Sequence, residues 1–516
     1  MMEILFDARK EIFWVGFGIL FVSILFHASK KAKPALLFLM VASFLFFLYA
    51  AVIIPFLNVW DERFHALVAK NLMQHPLMPT LYNDALLNLP YRWDQAHIWL
   101  HKQPLFMWQS ALSYKLFGVN ELAFRLPGVL LCTFVIYAAY RTGKLLGSNE
   151  TGYTTAFLIA TSLYLEKLIS GFAPVDQNDL VFMAYISLSI WAMVEHVYSD
   201  KFYWIIITGI FSGCALLTKE AVGLLVYLIW FLYTLQKHKS KRKEYKPILI
   251  ALIISLVIFI PWQLFIFSRY PFEAKTEYQF NLHHFTQVID GQGGPFSYHF
   301  KYIGLIFGSL APYLIVPALL VFYWKATDKK LALSIIISLA FVYLFFSLAK
   351  TKMQSFTTIA EVPMYLALAF LITALFEWII GKIKLPVKLN GVAMVIVFVS
   401  VAFFRFDFNS LKPDYGFWGQ DVECYNRLVK NKKIFQALKL PDNTVICNVP
   451  GRHFVEAMFY TKLTAYGFIP SESQYNELVG KGKRIALFMP PDNKLPDYLN
   501  NDKSVMLLKD TIEPCE

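Results

Sequence analysis

Asp61 and Glu62 follow an apolar run that extends from Pro34 to Leu57. Carboxylates at membrane depth are costly and are kept chiefly for function. After them comes a long segment, 63–101, too polar for lipid and rich in Trp, Tyr and His, which ends at Lys102 in a Lys-Gln-Pro-Leu turn. An Asp or Glu in this setting can remove the proton of an attacking hydroxyl, and further acids can hold a divalent cation through oxygen ligands. A Lys at the same depth can stabilise negative charge that develops on a phosphate leaving group. The bland alternatives are a solvated acidic anchor at a helix end and a lysine that snorkels to the interface.

Positioning such groups requires membrane helices. The chain has 516 residues, 57% hydrophobic and only 16% charged, whereas soluble domains carry about a quarter charged residues. About twelve runs approach the length needed to cross a bilayer. They lie near 12–28, 34–57, 122–143, 152–173, 179–198, 202–217, 220–236, 247–268, 301–324, 331–349, 356–380 and 389–405, and 104–118 suits a re-entrant or interfacial helix. Ala28-Ser29 permits a signal-peptide reading of the first run, but cleavage there would invert every later loop, so it is kept as a span.

The net charge of +12 comes from basic residues that recur in short connections. These are Lys30, Lys31 and Lys33; Arg141 and Lys144; the run at 236–246; Lys325, Lys329 and Lys330; and Lys382, Lys384 and Lys388. That is the pattern of cytoplasmic loops rather than of a nucleic-acid surface. Alternation then puts every polar cluster with chemical potential on the opposite face. Asp176 and Asp179 in PVDQND, Lys219 and Glu220 in TKEA, Arg269 with the loop 269–300, and Lys350 and Lys352 in AKTKMQ all fall there.

Lys102, Lys219, Lys350, Lys352 and Arg269 could gather around a phosphate, and His101 could be an acid/base group or a metal ligand. His283-His284 is weak as a metal motif, and GQGGP suits a hinge or tight turn. The loop 269–300 is expected to act as an acceptor-facing lid. The tail, 406–516, reads as a separate small α/β domain on the outer face. NTVICNV, RIALFM and SVMLLK are expected strands, and RHFVEAMFYTK and SQYNELVGKG expected helices. Cys132 and Cys214 sit in apolar runs, while Cys424, Cys447 and Cys515 allow a disulfide in the tail without implying one.

An ordered set of segments resembles a known family. A DE pair closes an early span, a Tyr/Trp-rich loop ends at Lys-x-Pro-Leu-x-x-Trp, and FGVNELAFRLPG, PVDQNDLVFM, ALLTKEAVGLL and FSLAKTKMQSFTTIAEVPMYLAL follow in order. Over roughly 35–380 these resemble the polyprenyl-phosphate-sugar-dependent membrane glycosyltransferases of the C-type fold, in the protein O-mannosyltransferase and lipid A aminoarabinose transferase branch. The resemblance implies an inverting transfer from an undecaprenyl- or dolichyl-phosphate sugar to an acceptor outside the cytoplasmic membrane, such as lipid A, a surface polysaccharide or a protein.

It also implies roles. Asp61 becomes the base or acceptor-orienting acid, with Glu62 beside it, and Asp176 a second essential acid. Lys102 and Lys352 become donor-phosphate contacts, joined by Lys350 and Arg269. Any divalent ion would fall to Asp61, His101 and Asp176. Three departures stand out: His101 where the family often has an acid, Gln103 in the Lys-Pro-Pro position, and Ser355-Phe356 in place of a Tyr pair. Two other functions compete: a flippase or transporter for a lipid-linked sugar, and an inactive relative. The concentration of charge at one face, rather than at the midplane, argues against transport.

Overall fold

The computed structural model describes residues 2–171, 177–237, 242–384, 386–411, 422–490 and 492–515. The lipid phase has no water to satisfy exposed peptide groups, so apolar runs there fold as helices. Among the described residues eight helices are long and apolar enough to cross a membrane, or nine if one bent pair counts as a single span.

The expected runs fall on helices, but not all are straight spans. The stretch expected at 301–324 bends by 88° between Tyr298–Phe307 and Ala311–Lys325, at Gly308, whose φ of +106° favours a residue without Cβ. The stretch expected at 152–173 is two shorter helices, Asn149–Ala160 and Leu163–Ile169. The second starts where Ser162 Oγ accepts from Leu165 N–H at 3.4 Å. Ala221–Leu235 and Leu389–Arg405 are apolar but short. Leu105–Phe117, at 13 residues, is likewise too short to cross unaided.

The basic connections meet at one end of the bundle. Lys30 pairs with Glu150 at 2.8 Å, Thr327 N–H donates to Leu146 O at 2.8 Å, and Tyr233 Oη donates to Asp328 at 2.9 Å. Asp61, Lys102, Asp179 and Lys219 line one cavity instead, away from these contacts.

The C-terminal part forms a four-stranded parallel sheet in the order β2-β1-β3-β4. Its strands are β1 (Thr444–Cys447), β2 (Thr464–Ala465), β3 (Arg484–Phe488) and β4 (Met506–Leu508). Parallel neighbours need crossover connections, and Phe454–Tyr460, Glu472–Gly480 and Asp497–Asn500 lie in them. Ser471 and Gln474 form a capping box at the start of the second. β2 is two residues long and carries no periodic signal, so it escaped the sequence pattern. Cys132, Cys214 and Cys447 are free thiols, and Cys515 Sγ donates to Cys424 O at 3.3 Å.

This sheet domain does not hang free. It is seated on the helix Asp61–Leu72 through buried polar contacts. Arg63, fully buried, reaches Glu456 at 3.4 Å, and His453 Nδ1 contacts the same carboxylate at 3.0 Å. Lys70 Nζ donates to the carbonyls of Met458, Phe459 and Thr461 at 2.7–2.9 Å, which are the exposed C-terminal carbonyls of Phe454–Tyr460. Lys432 and Tyr460 both meet Glu121, at 2.7 and 2.6 Å.

Candidate active site

Asp61 opens the helix Asp61–Leu72, and Lys102 sits just before Leu105–Phe117; these two helices pack together. The packing brings Lys102 Nζ to 3.5 Å from Asp61 Oδ2, with both side chains about one-fifth exposed. They line a cavity of ≈ 1110 Å³, counting its open mouth. Across it Asp179, at the start of Gln177–Ser199, is bonded to Lys219 at the end of Phe202–Lys219. Lys219 also lies 4.6 Å from the ring centre of Phe356, so the Phe that departs from the expected Tyr pair acts as a cation–π platform. Ser355 Oγ, in the same wall, has no partner among the described residues.

The third wall is the helix Pro271–Thr286, which lines the cavity with Asn281 and His284 and carries Glu277 behind His101 at helical spacing. Glu277 accepts from Tyr91 Oη at 2.8 Å and contacts His101 Nδ1 at 3.0 Å. His101 is stacked on Trp93 with centroids 4.9 Å apart. The rest of this loop is zipped to the 349–354 segment: Thr351 N–H donates to His284 O and Lys352 N–H to Gln292 O. GQGGP forms a turn with Asp290 and Gly291 at positive φ. The lid expected at 269–300 is, in this structure, a bonded wall.

The charges in this cavity hold one another in place. Burial would push the Asp61 carboxyl up, but Lys102, His65 and His101 outweigh it and hold the group down at about 2. Burial lowers His101, reinforced by Lys102 and opposed by Glu277. Burial and the neighbouring Lys102 bring His284 down to about 4. Burial thus disfavours the protonated form of both imidazoles, His101 and His284.

The structure brings together Asp61, His101, Lys102, Asp179 and Lys219. Asp176 lies outside the described residues, as does the side chain of Glu220. Four expected residues are not among those lining the cavity. Glu62, expected as a catalytic acid, is 1% exposed and accepts from Arg125 Nε at 2.7 Å, Arg125 Nη2 at 2.9 Å and Asn58 N–H at 2.8 Å. Lys352, expected on the donor phosphate, is buried and donates to Ser347 O at 2.8 Å and to Ala349 O, satisfying carbonyls at the end of Lys329–Leu348. Lys350 and Arg269 are exposed.

Of the three residues expected to hold any divalent ion, Asp61 and His101 are described and Asp176 is not. Among the described residues no three His, Cys, Asp or Glu side chains are grouped to hold one. A cation on Asp61 and His101 would displace Lys102 and Glu277 from them.

An apolar groove of ≈ 680 Å³ adjoins the cavity. It runs between Ala221–Leu235 and Lys329–Leu348, is lined by Leu225, Leu228, Phe341 and Val342, and shares Val222, Phe345 and Phe346 with the polar site. A charged chamber continuous with an apolar trough suits an amphiphile whose head is anionic.

Solved structures similar to this one carry the same architecture. ArnT from Cupriavidus metallidurans, bound to undecaprenyl phosphate, superimposes with a TM-score of 0.60 at 15% identity, over 90% of each chain. The oligosaccharyltransferase AglB from Archaeoglobus fulgidus, in complex with an inhibitory peptide and a dolichol-phosphate, gives 0.56 at 10% identity, over 87% of this chain and 69% of that one. The chain shares the fold of these two solved structures.

Sequence comparison points the same way. Residues 101–265 match the family model described as dolichyl-phosphate-mannose-protein mannosyltransferase. An uncharacterised protein of Aquifex aeolicus is 26% identical over 65% of this chain and 64% of its own length. The undecaprenyl phosphate-alpha-4-amino-4-deoxy-L-arabinose arabinosyl transferase of Shewanella sediminis is 24% identical over 57% of this chain. The chain matches only 54% of that relative's length. The protein is a multi-pass membrane protein.

The residues that sequence reasoning undervalued are Glu277 and His284. Their signal was present: the Glu277, Asn281, His284 spacing marks one helical face in a segment read as irregular loop.

Proposed function

We propose that the protein transfers a sugar from a polyprenyl-phosphate donor to a hydroxyl-bearing acceptor, with inversion at the anomeric carbon. The observation that carries this is the junction of the Asp61–Lys102–Lys219 cavity with the apolar groove. The polyprenyl chain lies in the groove and the phosphate meets Lys102 and Lys219, with the Ser355 hydroxyl available to donate. Asp61 faces the anomeric carbon. It takes the acceptor hydroxyl's proton as the new C1–O bond forms, the C1–O(phosphate) bond breaks, and polyprenyl phosphate leaves as a monoester stabilised by the two cations.

Asp61 is a weak base while Lys102 is its sole strong counter-charge. Donor phosphate draws Lys102 towards itself and raises Asp61, so the base strengthens once donor is bound. The basic connections at the far end of the bundle support a position for the cavity on the extracytoplasmic side of the cytoplasmic membrane.

The test is donor turnover in nanodiscs, with a panel of polyprenyl-phosphate sugars and a membrane extract as acceptor source. Release of polyprenyl phosphate by wild type and its loss in Asp61→Asn is the expected result. No release from any donor by folded protein would defeat the proposal and favour a transporter or an inactive relative.

A further inference from the structure

A second polar cavity, of ≈ 720 Å³, lies where the segment after Asp61–Leu72 meets the sheet domain. One wall carries Tyr82, Asn88, Gln95 and His97; the other carries Tyr466, Glu477 and Lys481. None of these residues lines the Asp61–Lys102 cavity. The charged pair is already committed: Lys481 meets Glu477 at 2.7 Å and donates to Leu86 O. Tyr466 Oη accepts from Leu87 N–H at 3.2 Å, which fixes the two walls together.

What is left for a ligand is neutral. Asn88 is exposed. The Gln95 amide donates to Pro90 O at 3.1 Å, which leaves its carbonyl to accept. His97 Nδ1 is buried and has no partner among the described residues, an arrangement that costs free energy unless something bonds to it. Beside these groups Leu87 and Leu89 supply apolar surface, and Tyr82 and Tyr466 stack with centroids 5.3 Å apart. The charged residues that line the cavity, Glu477 and Lys481, compensate each other. Neutral donors and acceptors beside apolar and aromatic surface suit a neutral polyhydroxylated ligand.

The site is also within reach of the chemistry. His97 precedes His101 by four residues, so at most about 14 Å of chain separates the two cavities. Tyr91, in the same segment, is bonded to Glu277 beside His101.

We infer that this cavity is an acceptor subsite for an oligosaccharide: the acceptor carries a neutral glycan, held between the two walls while its receiving hydroxyl reaches Asp61. The purpose of the site rests on the proposed transfer reaction, but glycan binding itself does not.

The experiment is saturation-transfer NMR on the full chain in nanodiscs, without donor. Two probe sets are used: oligosaccharides released by mild acid from envelope glycolipids, and soluble fragments of surface polysaccharide. Wild type should bind members of one set, and the set identifies the source. The double variant Asn88→Ala/Gln95→Ala, and separately Leu89→Trp, which fills the cavity, should weaken that binding at least tenfold. Donor binding and apparent melting temperature should not move. Absence of binding by wild type, equal binding by both variants, or competition by a peptide or an inorganic phosphate instead of a glycan would overturn the inference. Glycan binding with no donor turnover would uphold the subsite while defeating the transferase proposal.

Discussion

Replacing Glu62 and Asp61 separately should give opposite phenotypes, although the two residues are adjacent. Glu62 accepts four hydrogen bonds, two from Arg125 and two from Asn58. Arg125 is itself fully buried. It also donates to Ala51 O, Ile54 O and Phe56 O at 2.6–2.9 Å, so it gathers the open carbonyls at the end of Ala32–Ile53. Glu62→Ala would strand that guanidinium, and removing one partner of a buried ion pair costs about 3–5 kcal/mol. Glu62→Gln keeps the shape but turns an amide N–H₂ towards donors, at a cost of about 1–3 kcal/mol. Asp61→Asn, at a partly exposed site, should cost less stability than Glu62→Ala and abolish turnover. The assay pairs a thermal scan by fluorescence size exclusion with donor turnover normalised to folded protein. If Glu62→Gln melts like wild type yet loses turnover as Asp61→Asn does, then Glu62 acts in the chemistry and the structural role argued here is wrong.

Three further outcomes are expected. Gly171→Ala should destabilise the protein much as Glu62→Gln does, because a Cβ there would collide with the Glu62 carboxylate at a φ of +71°; unchanged melting would refute that packing. Lys219→Met should weaken donor binding about tenfold to a hundredfold, the worth of one charge-assisted hydrogen bond of about 1.5–3 kcal/mol, as read by donor titration; an unchanged Kd would remove Lys219 from the phosphate site. For Asp61, whose folded value is lowered to about 2, the stabilisation is present above the ordinary carboxylate range and lost as pH falls through about 2. The acid limb of kcat/KM should therefore lie below about pH 4; a limb near pH 6 that Asp61→Asn leaves in place would assign the base elsewhere.

Much of this architecture was legible because its causes are local. Apolar length dictates the helices, and the lysines and arginines between them sort the connections onto one face. Breaks were less legible. The bend at Gly308 and the restart at Ser162 depend on single residues inside runs whose hydropathy stays high. Lys352 was misplaced for a related reason: a Lys near a helix end can meet a ligand or the helix's own last carbonyls, and only the path of the backbone after Leu348 turns it to Ser347 and Ala349. The docking of the sheet domain was invisible because Arg63 and Glu456 are far apart in sequence, and neither stands in a motif.

The Asp-Glu pair shows where sequence reasoning stops. Consecutive residues on a helix point about 100° apart, so a site at the start of Asp61–Leu72 can use one of the two and must send the other elsewhere. Which one faces the cavity is fixed by Arg125, 63 residues away in sequence, whose fork matches a carboxylate and whose remaining donors are taken by the carbonyls before Leu57. Glu62 is thereby anchored to the membrane helix that precedes it. The anchored turn fixes the direction in which Asp61 projects, towards Lys102. The structural acid orients the chemical one, and loss of Glu62 should lower turnover only as far as it disturbs the Asp61–Lys102 geometry.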